Sequence, residues 1–248
     1  MVSIITPLYN CQNYISDCIK SVVSQSYKNW EMIIVDDKST DNSLKIAKRF
    51  SKTDSRIKIL TLKFNEGAGV ARNLAIKESK GKYIAFLDSD DIWHKDKLEI
   101  QIGIMKKLNL SFSHTSYGYI NKDGTFSKKT LTTSLKPVGY RNLLKRTEIS
   151  CLTAVYDSHK LGKFYMPNIR RKQDYALWLE ILKTGETSFP INKCLAYYRQ
   201  RIGSATSNKM KLIMKHYFFL KKTQNLNTID SIYYTLCWAV NGIFRYYL

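Results

Sequence analysis

The chain has 248 residues, 44% hydrophobic and 24% charged, enough for one large domain with a proper core, or for one domain and a small appendage. Forty Lys and Arg against twenty Asp and Glu leave a formal charge of +20, a field that draws nucleic acid, an anionic membrane surface or phosphate-bearing small molecules. An odd set of five cysteines with no Cys-x-x-Cys pair argues against a zinc site or disulfide framework, and the absence of a fixed repeat argues against a solenoid.

The opening residues enter a strand directly, over residues 2–6. Tyr14, Ile15, Cys18, Ile19, Val22 and Val23 follow at helical spacing. Residues 32–35 read as a second buried strand, and residues 43–50 as a helix with Leu44 and Ala47 inward. Residues 57–62 alternate as a third strand, Val70, Ala71, Leu74 and Ala75 mark a helix, and residues 83–87 form a fourth strand. Alternation of helices with continuously apolar strands predicts an α/β fold, with a mostly parallel central sheet covered by helices on both faces.

Beyond residue 110 the pattern changes. Residues 111–120 read as a strand, 121–124 as a hairpin-type turn, and 140–150 as a short helix. Residues 173–183 form a helix with Ala176, Leu177 and Ile181 on one face. This gives a domain over residues 1–208, divided near residue 110, and a basic, aromatic helical tail over 209–248. The tail holds six Lys or Arg, one Asp and nine aromatic residues. Ile229, Ile232, Tyr233, Leu236, Val240, Ile243 and Tyr247 fall on one helical stripe. That stripe either packs on the domain or lies on an anionic membrane surface. No signal peptide and no run of the roughly 20 apolar residues needed for a membrane span is apparent. The expected location is cytoplasmic, peripheral on the inner face of the membrane if the tail binds there.

In parallel sheets, ligands sit at the carboxyl ends of the strands. There stand Thr6, Pro7 and Tyr9, then Asp36 and Asp37, then Asn65, Glu66 and Gly67, then Asp88, Ser89, Asp90 and Asp91. Carboxylates two residues apart just past a buried strand repel and desolvate unless a cation offsets them. Hard oxygen ligands suit Mg²⁺ or Mn²⁺. The competing reading makes Asp90 or Asp91 the cap of a helix beginning near Lys95. A carboxylate of Asp36 or Asp37 can accept from a base N–H, with capping again the rival, through Ser39, Thr40 or Asp41. Asp174 opens an amphipathic helix and reads either as a first-turn acid or as a general base toward a hydroxyl. The dinucleotide-binding glycine fingerprint, the P-loop and the hydrolase elbow are all missing.

Taken in order, these segments resemble the family 2 inverting glycosyltransferases of GT-A fold. The likeness rests on residues 2–10, 24–27, 30–41, 65–67, 71–73 and 85–91. Residues 151–157, 165–170 and 174–179 extend it toward the subgroup containing the teichuronic acid biosynthesis transferases. The resemblance implies a UDP-sugar donor, a divalent metal, and transfer to a hydroxyl of a growing, lipid-linked bacterial surface polysaccharide. It implies that Thr6, Pro7, Tyr9, Asp36 and Asp37 line the nucleoside pocket, that Gly67, Arg72, Asp88 and Ser89 hold the donor, and that Asp88, Asp90 and Asp91 serve the metal. It makes Asp174 the general base, residues 1–110 the nucleotide-sugar half and residues 111–208 the acceptor-side half. Gln173 stands where many members carry Glu, which removes one charge from the acceptor side.

Two other readings compete. Apolar residues followed by Asp-x-Asp resemble the first motif of haloacid-dehalogenase-type phosphatases, but there the nucleophile ends the first strand and here three strands precede it. A nucleic-acid-binding module would suit the charge, yet no recognised motif for one occurs, and no nucleic acid partner is expected.

Overall fold

The computed structural model describes residues 1–200 and 209–247. Its first half alternates as the periodicity predicts: β1 (Val2–Leu8), α1 (Ile15–Val23), β2 (Trp30–Asp36), α2 (Ser43–Thr53), β3 (Ile57–Thr61), α3 (Ala68–Glu78) and β4 (Tyr83–Phe86). The second half carries β5 (Ile92–Trp93), α4 (Lys97–Lys107), β6 (Phe112–Ile120), β7 (Phe126–Leu131), α5 (Tyr140–Lys145) and β8 (Val155–Asp157). It continues through α6 (Ser158–Leu161), α7 (Gln173–Lys183), β9 (Phe189–Arg199), α8 (Lys209–Thr223) and α9 (Thr228–Tyr247).

All nine strands join one sheet in the order β3-β2-β1-β4-β8-β6-β9-β5, with β7 paired to β6. The long pairings, β1 with β2 and β4, β2 with β3, and β6 with β9, are parallel. The antiparallel ones are short, and β8 joins the two halves by pairing with both β4 and β6. The sheet is therefore mostly parallel, and its central strands are covered on both sides. β1 sends Ile5 into one core cluster and Ile4 into the other, as alternation requires of a strand buried on both faces. Ile15, Cys18, Ile19 and Val22 of α1 fill one side, and Ala71, Ala75 and Ile76 of α3 fill the other.

Pro7 sits in this central strand, although proline cannot donate to a ladder. Leu8 O accepts from Asp37 N on the β2 side, and Ile5 O accepts from Leu87 N on the β4 side. The missing donor of Pro7 therefore points toward β4, whose pairing with β1 has already ended at Ile5. Proline costs nothing at that point and stops β1 from pairing further.

Three expectations change. The short helix ends at Lys145 and not near residue 150, because Arg146 is extended and Glu148 turns inward to accept from Ser134 N. Neither Asp90 nor Asp91 caps the following helix: its N-cap is Asp96. Leu44 is only half buried, whereas Ala47 is fully buried.

The tail forms two helices. α8 places Phe219 and Leu220 in the core. α9 is tied back through Trp238 Nε1 donating to Thr147 Oγ1 (2.9 Å) and Asn241 Nδ2 donating to Lys145 O (3.2 Å). The predicted apolar stripe of α9 is not the packing face: Ile229, Ile232, Tyr233, Leu236 and Val240 are all exposed. The side chains of Ile243 and Tyr247 lie outside the described residues.

Candidate active site

The rim at the carboxyl ends of β1, β2 and β4 is braced by cross-loop hydrogen bonds. Asn10 adopts a left-handed backbone (φ 47°), and its Oδ1 accepts from Thr40 N at 2.9 Å. Asp41 accepts from Gln12 N (3.1 Å) and Ser43 N (2.9 Å), so it organises the start of α2. The loops after β1 and β2 are therefore held as one unit. Thr6 and Pro7 are buried beneath them, and Tyr9 stands exposed above.

Asp37 is buried, and its carboxylate takes the backbone N–H of Glu66 (2.7 Å) and of Gly67 (2.8 Å). Gly67 holds φ 93°, a region that penalises an L side chain. The glycine lets the loop before α3 turn both amides onto the acid. A carboxylate has about four lone-pair sites, so Asp37 keeps capacity for a further donor. Beside it, Asp36 accepts from Ser39 N (3.2 Å), while its other oxygen and the Thr6 hydroxyl are buried without a protein partner. Polar groups so placed suit a polar ligand.

Asp88 leaves β4 and forms an ion pair with Arg72 of α3 at 2.5 Å. Arg72 is almost wholly buried, which by itself disfavours its charge; Asp88 chiefly, with a smaller contribution from Asp174, more than offsets this and holds the guanidinium charged. Asp174 in turn lies in the first turn of α7, with a carboxyl pushed up by burial and pulled back by Arg72. Arg72 thus pairs with the acid after β4 and also acts electrostatically on the acid of the helix of residues 173–183.

Trp178, one turn beyond Asp174, is fully buried and stands edge-on to Phe86 at 5.1 Å, two residues before Asp88. It also contacts Phe112 of β6 at 5.5 Å. One indole therefore packs α7 against β4 and β6. Asn73 locks the neighbouring segment: its Oδ1 accepts from Met166 N (2.7 Å), and its Nδ2 donates to Met166 O (2.8 Å). Gln173 donates to Ile169 O (2.6 Å) and presses on Gly69, where an added Cβ would lie 2.7 Å from its amide nitrogen.

The rest of the acidic loop is held differently. Ser89 is buried, and Asp91 is buried with Oδ1 accepting from Arg199 N at 2.8 Å. Burial, then Asp90 and Asp88, push the Asp91 carboxyl up. Asp90 is half buried, and its carbonyl accepts from Arg199 Nε at 2.8 Å. Among the described residues, no three His, Cys, Asp or Glu side chains converge on a metal-sized point. This donor set fits an ion held by one or two carboxylates and completed by substrate phosphates and water, as Mg²⁺ commonly is. It does not fit a closed protein cage.

Sequence reading missed Arg199. Its buried side chain reaches Asn121 O and Asp17 and lies 4.8 Å over the Tyr14 ring. It clamps the acidic loop from a strand 108 positions away, and nothing local in sequence marks it. Lys172 was missed too. It donates to His216 of α8 and sits 4.6 Å over the Trp238 ring, immediately before the helix that carries Asp174.

Comparison with known proteins identifies the family and the fold. The profile of Glycosyl transferase family 2 matches residues 3–164. The chain is 43% identical over 98% of its length to the putative teichuronic acid biosynthesis glycosyltransferase TuaG of Bacillus subtilis, covering 96% of that protein. It is 42% identical over 98% of its length to the Escherichia coli UDP-Glc:alpha-D-GlcNAc-diphosphoundecaprenol beta-1,3-glucosyltransferase WfgD, covering 94% of it. The fold superposes on Staphylococcus aureus TarS in complex with UDP-GlcNAc with a TM-score of 0.72 at 20% identity, over all of this chain and 76% of that one.

Proposed function

The chain belongs to glycosyl transferase family 2 and is a glycosyltransferase of GT-A-like fold, and from that premise we propose that it inverts the anomeric centre of a UDP-sugar while transferring the sugar to a hydroxyl of a lipid-linked saccharide. The observation that carries this reading is the Arg72–Asp88 ion pair at the end of β4, with Asp174 of α7 near enough to feel both charges. Residues 1–110 form the donor half in this proposal, and residues 111–208 the acceptor half.

The chemistry is a single displacement. Asp174 takes the proton of the acceptor hydroxyl as its oxygen bonds to the anomeric carbon. The bond from that carbon to the diphosphate oxygen breaks, and its electron pair leaves with UDP. Attack on the face opposite the leaving group inverts the centre. Burial raises the affinity of Asp174 for a proton, which strengthens it as a base, and Arg72 keeps enough of it ionised to act. The floor formed by Thr6, Asp36 and Asp37 receives the nucleoside, with Pro7 and Tyr9 beside it. Gly67, Arg72, Asp88 and Ser89 surround the sugar-diphosphate. A Mn²⁺ or Mg²⁺ ion, held chiefly by Asp90 with Asp88 and Asp91 behind it, would supply charge stabilisation of the departing diphosphate. An acceptor on a membrane lipid places the enzyme at the cytoplasmic face of the membrane.

The relatives support donor and acceptor class: the name of one specifies UDP-Glc and a GlcNAc-diphosphoundecaprenol acceptor. The test is UDP release and product mass with purified protein, a panel of UDP-sugars, Mn²⁺ and a GlcNAc-diphospholipid. Asp174→Asn is expected to lose about 10²- to 10⁴-fold in kcat with an unchanged fold. Full turnover by that variant, or a product that retains the donor's anomeric configuration, refutes the proposal.

A further inference from the structure

The C-terminal hairpin leaves two apolar rows uncovered. On α9, Ile229 is 79% exposed and Leu236 59%, with Ile232, Tyr233 and Val240 exposed on the same face. Positions separated by three, four, seven and eleven residues share one side of a helix. On α8, Met210, Met214 and Phe218, spaced by four, are also exposed. The opposite faces of these helices are already used, through Phe219, Leu220 and His216 on α8 and through Ser231 and Thr235 on α9. The exposed rows are therefore surplus to the fold. Monomeric soluble proteins rarely leave contiguous rows of this kind uncovered.

Charge identifies the occupant. Helix α8 contains no acidic residue; exposed Lys211 and Lys215 stand one position beyond Met210 and Met214, and exposed Lys222 continues the apolar row one turn past Phe218. Lys145 of α5 adds a cation 5.8 Å over the Tyr233 ring, next to the α9 row. The whole chain carries +20. Apolar rows bordered by lysines suit a surface that is anionic at its headgroups and hydrocarbon beneath. A second copy of this chain would bring like charge to like charge. Among the described residues no helix is long and apolar enough to cross a membrane, so the mode is lying on the surface.

We propose that the exposed faces of α8 and α9 seat the enzyme on an anionic phospholipid bilayer, with the apolar rows in the acyl boundary and the lysines among the phosphates. The inference deepens the lipid-linked-acceptor reading and rests on it for the partner's identity. It also gives that reading geometry. Lys172, two residues before Asp174, is half buried and packs against His216 of α8 and Trp238 of α9. The hairpin that meets the lipid thus also holds the start of the helix carrying the base.

Flotation of the full chain with vesicles tests this without any catalytic readout. Binding is expected on phosphatidylcholine containing phosphatidylglycerol, and at least tenfold weaker on phosphatidylcholine alone. Ile232→Ser/Leu236→Ser should weaken binding at least tenfold. Lys215→Gln/Lys222→Gln should weaken it about 25-fold, roughly fivefold per lysine, on the anionic vesicles only. All four positions are exposed, so folding is not at risk, and UDP release with a water-soluble acceptor should be unchanged in both variants. Lack of vesicle binding by the parent protein overturns the inference. So does a dimer in light scattering that Leu236→Ser dissociates while vesicle binding is absent. If binding follows the prediction but no lipid-linked acceptor is glycosylated, the acceptor reading alone fails.

Discussion

Replacing Arg72 by Met removes the cation between two acids and keeps most of the side-chain volume. The Arg72 and Asp88 side chains are 9% and 29% exposed and lie 2.5 Å apart. Breaking a buried pair from one side costs about 3–5 kcal/mol, and partial solvation of Asp88 lowers this to about 2–3 kcal/mol. For a chain of this length that is a fall in Tm of roughly 5–10 °C. Asp174 is affected as well. Burial raises its proton affinity most, Arg72 and backbone N–H groups lower it, and Asp88 raises it, so removing the arginine leaves burial and Asp88 opposed only by the backbone. The base is active only when ionised, and the acidic limb of kcat/KM therefore moves to higher pH. Thermal unfolding and a pH–rate profile read the two effects separately. Arg72→Met/Asp88→Asn should recover at least half of the lost stability, because it removes the stranded charge together with its partner. The reasoning is refuted if the single variant costs under about 0.5 kcal/mol, if the double costs the sum of the singles, or if the acidic limb stays in place.

Other consequences are equally direct. Trp178→Ala should cost about 3–5 kcal/mol in urea unfolding and lower kcat with little change in UDP affinity, since the indole spaces α7 from β4 but touches no donor residue. Gly67→Ala meets no atom within 4 Å, yet its φ of 93° should cost about 1–2 kcal/mol and weaken UDP binding through the amides on Asp37. That is checked by calorimetry with UDP. His216 is fully buried and its imidazole is pushed down to about 2 by burial and by Lys172. Below pH 6.5 the unfolded chain binds a proton there and the native chain does not. Stability from this group is complete above that pH and is lost as pH falls toward 2. Between pH 7 and 5 the loss is about 2 kcal/mol, and His216→Phe should remove that share of the slope in urea titrations.

Much of the first 110 residues was legible because the signals there are local. A strand buried on both faces must read as Ile-Ile or Ile-Ala-Phe-Leu, and the residue that leaves it must stand at the ligand edge. This is why the order of Thr6, Asp36, Gly67 and Asp88 along the chain already describes a rim. Rival local readings could not be separated that way. Asp90, Asp91 and Asp174 each sit where a helix cap is chemically equivalent, and only coordinates showed that Asp96 holds the N-cap position of α4.

The sequence by itself determined the alternation of elements, the glycosyltransferase resemblance and which acids stand at the strand ends, since these follow from periodicity and from residues adjacent in the chain. Tertiary structure decided three things: that Asp88 pairs with Arg72, that Arg199 clamps the acidic loop, and that the apolar stripe of α9 faces outward. Each depends on contacts between segments tens to more than a hundred positions apart. Which face of a helix is buried is set by the neighbour it meets. The stripe of α9 was visible in the sequence, but its exposure followed only once α5 and α8 had taken the other side.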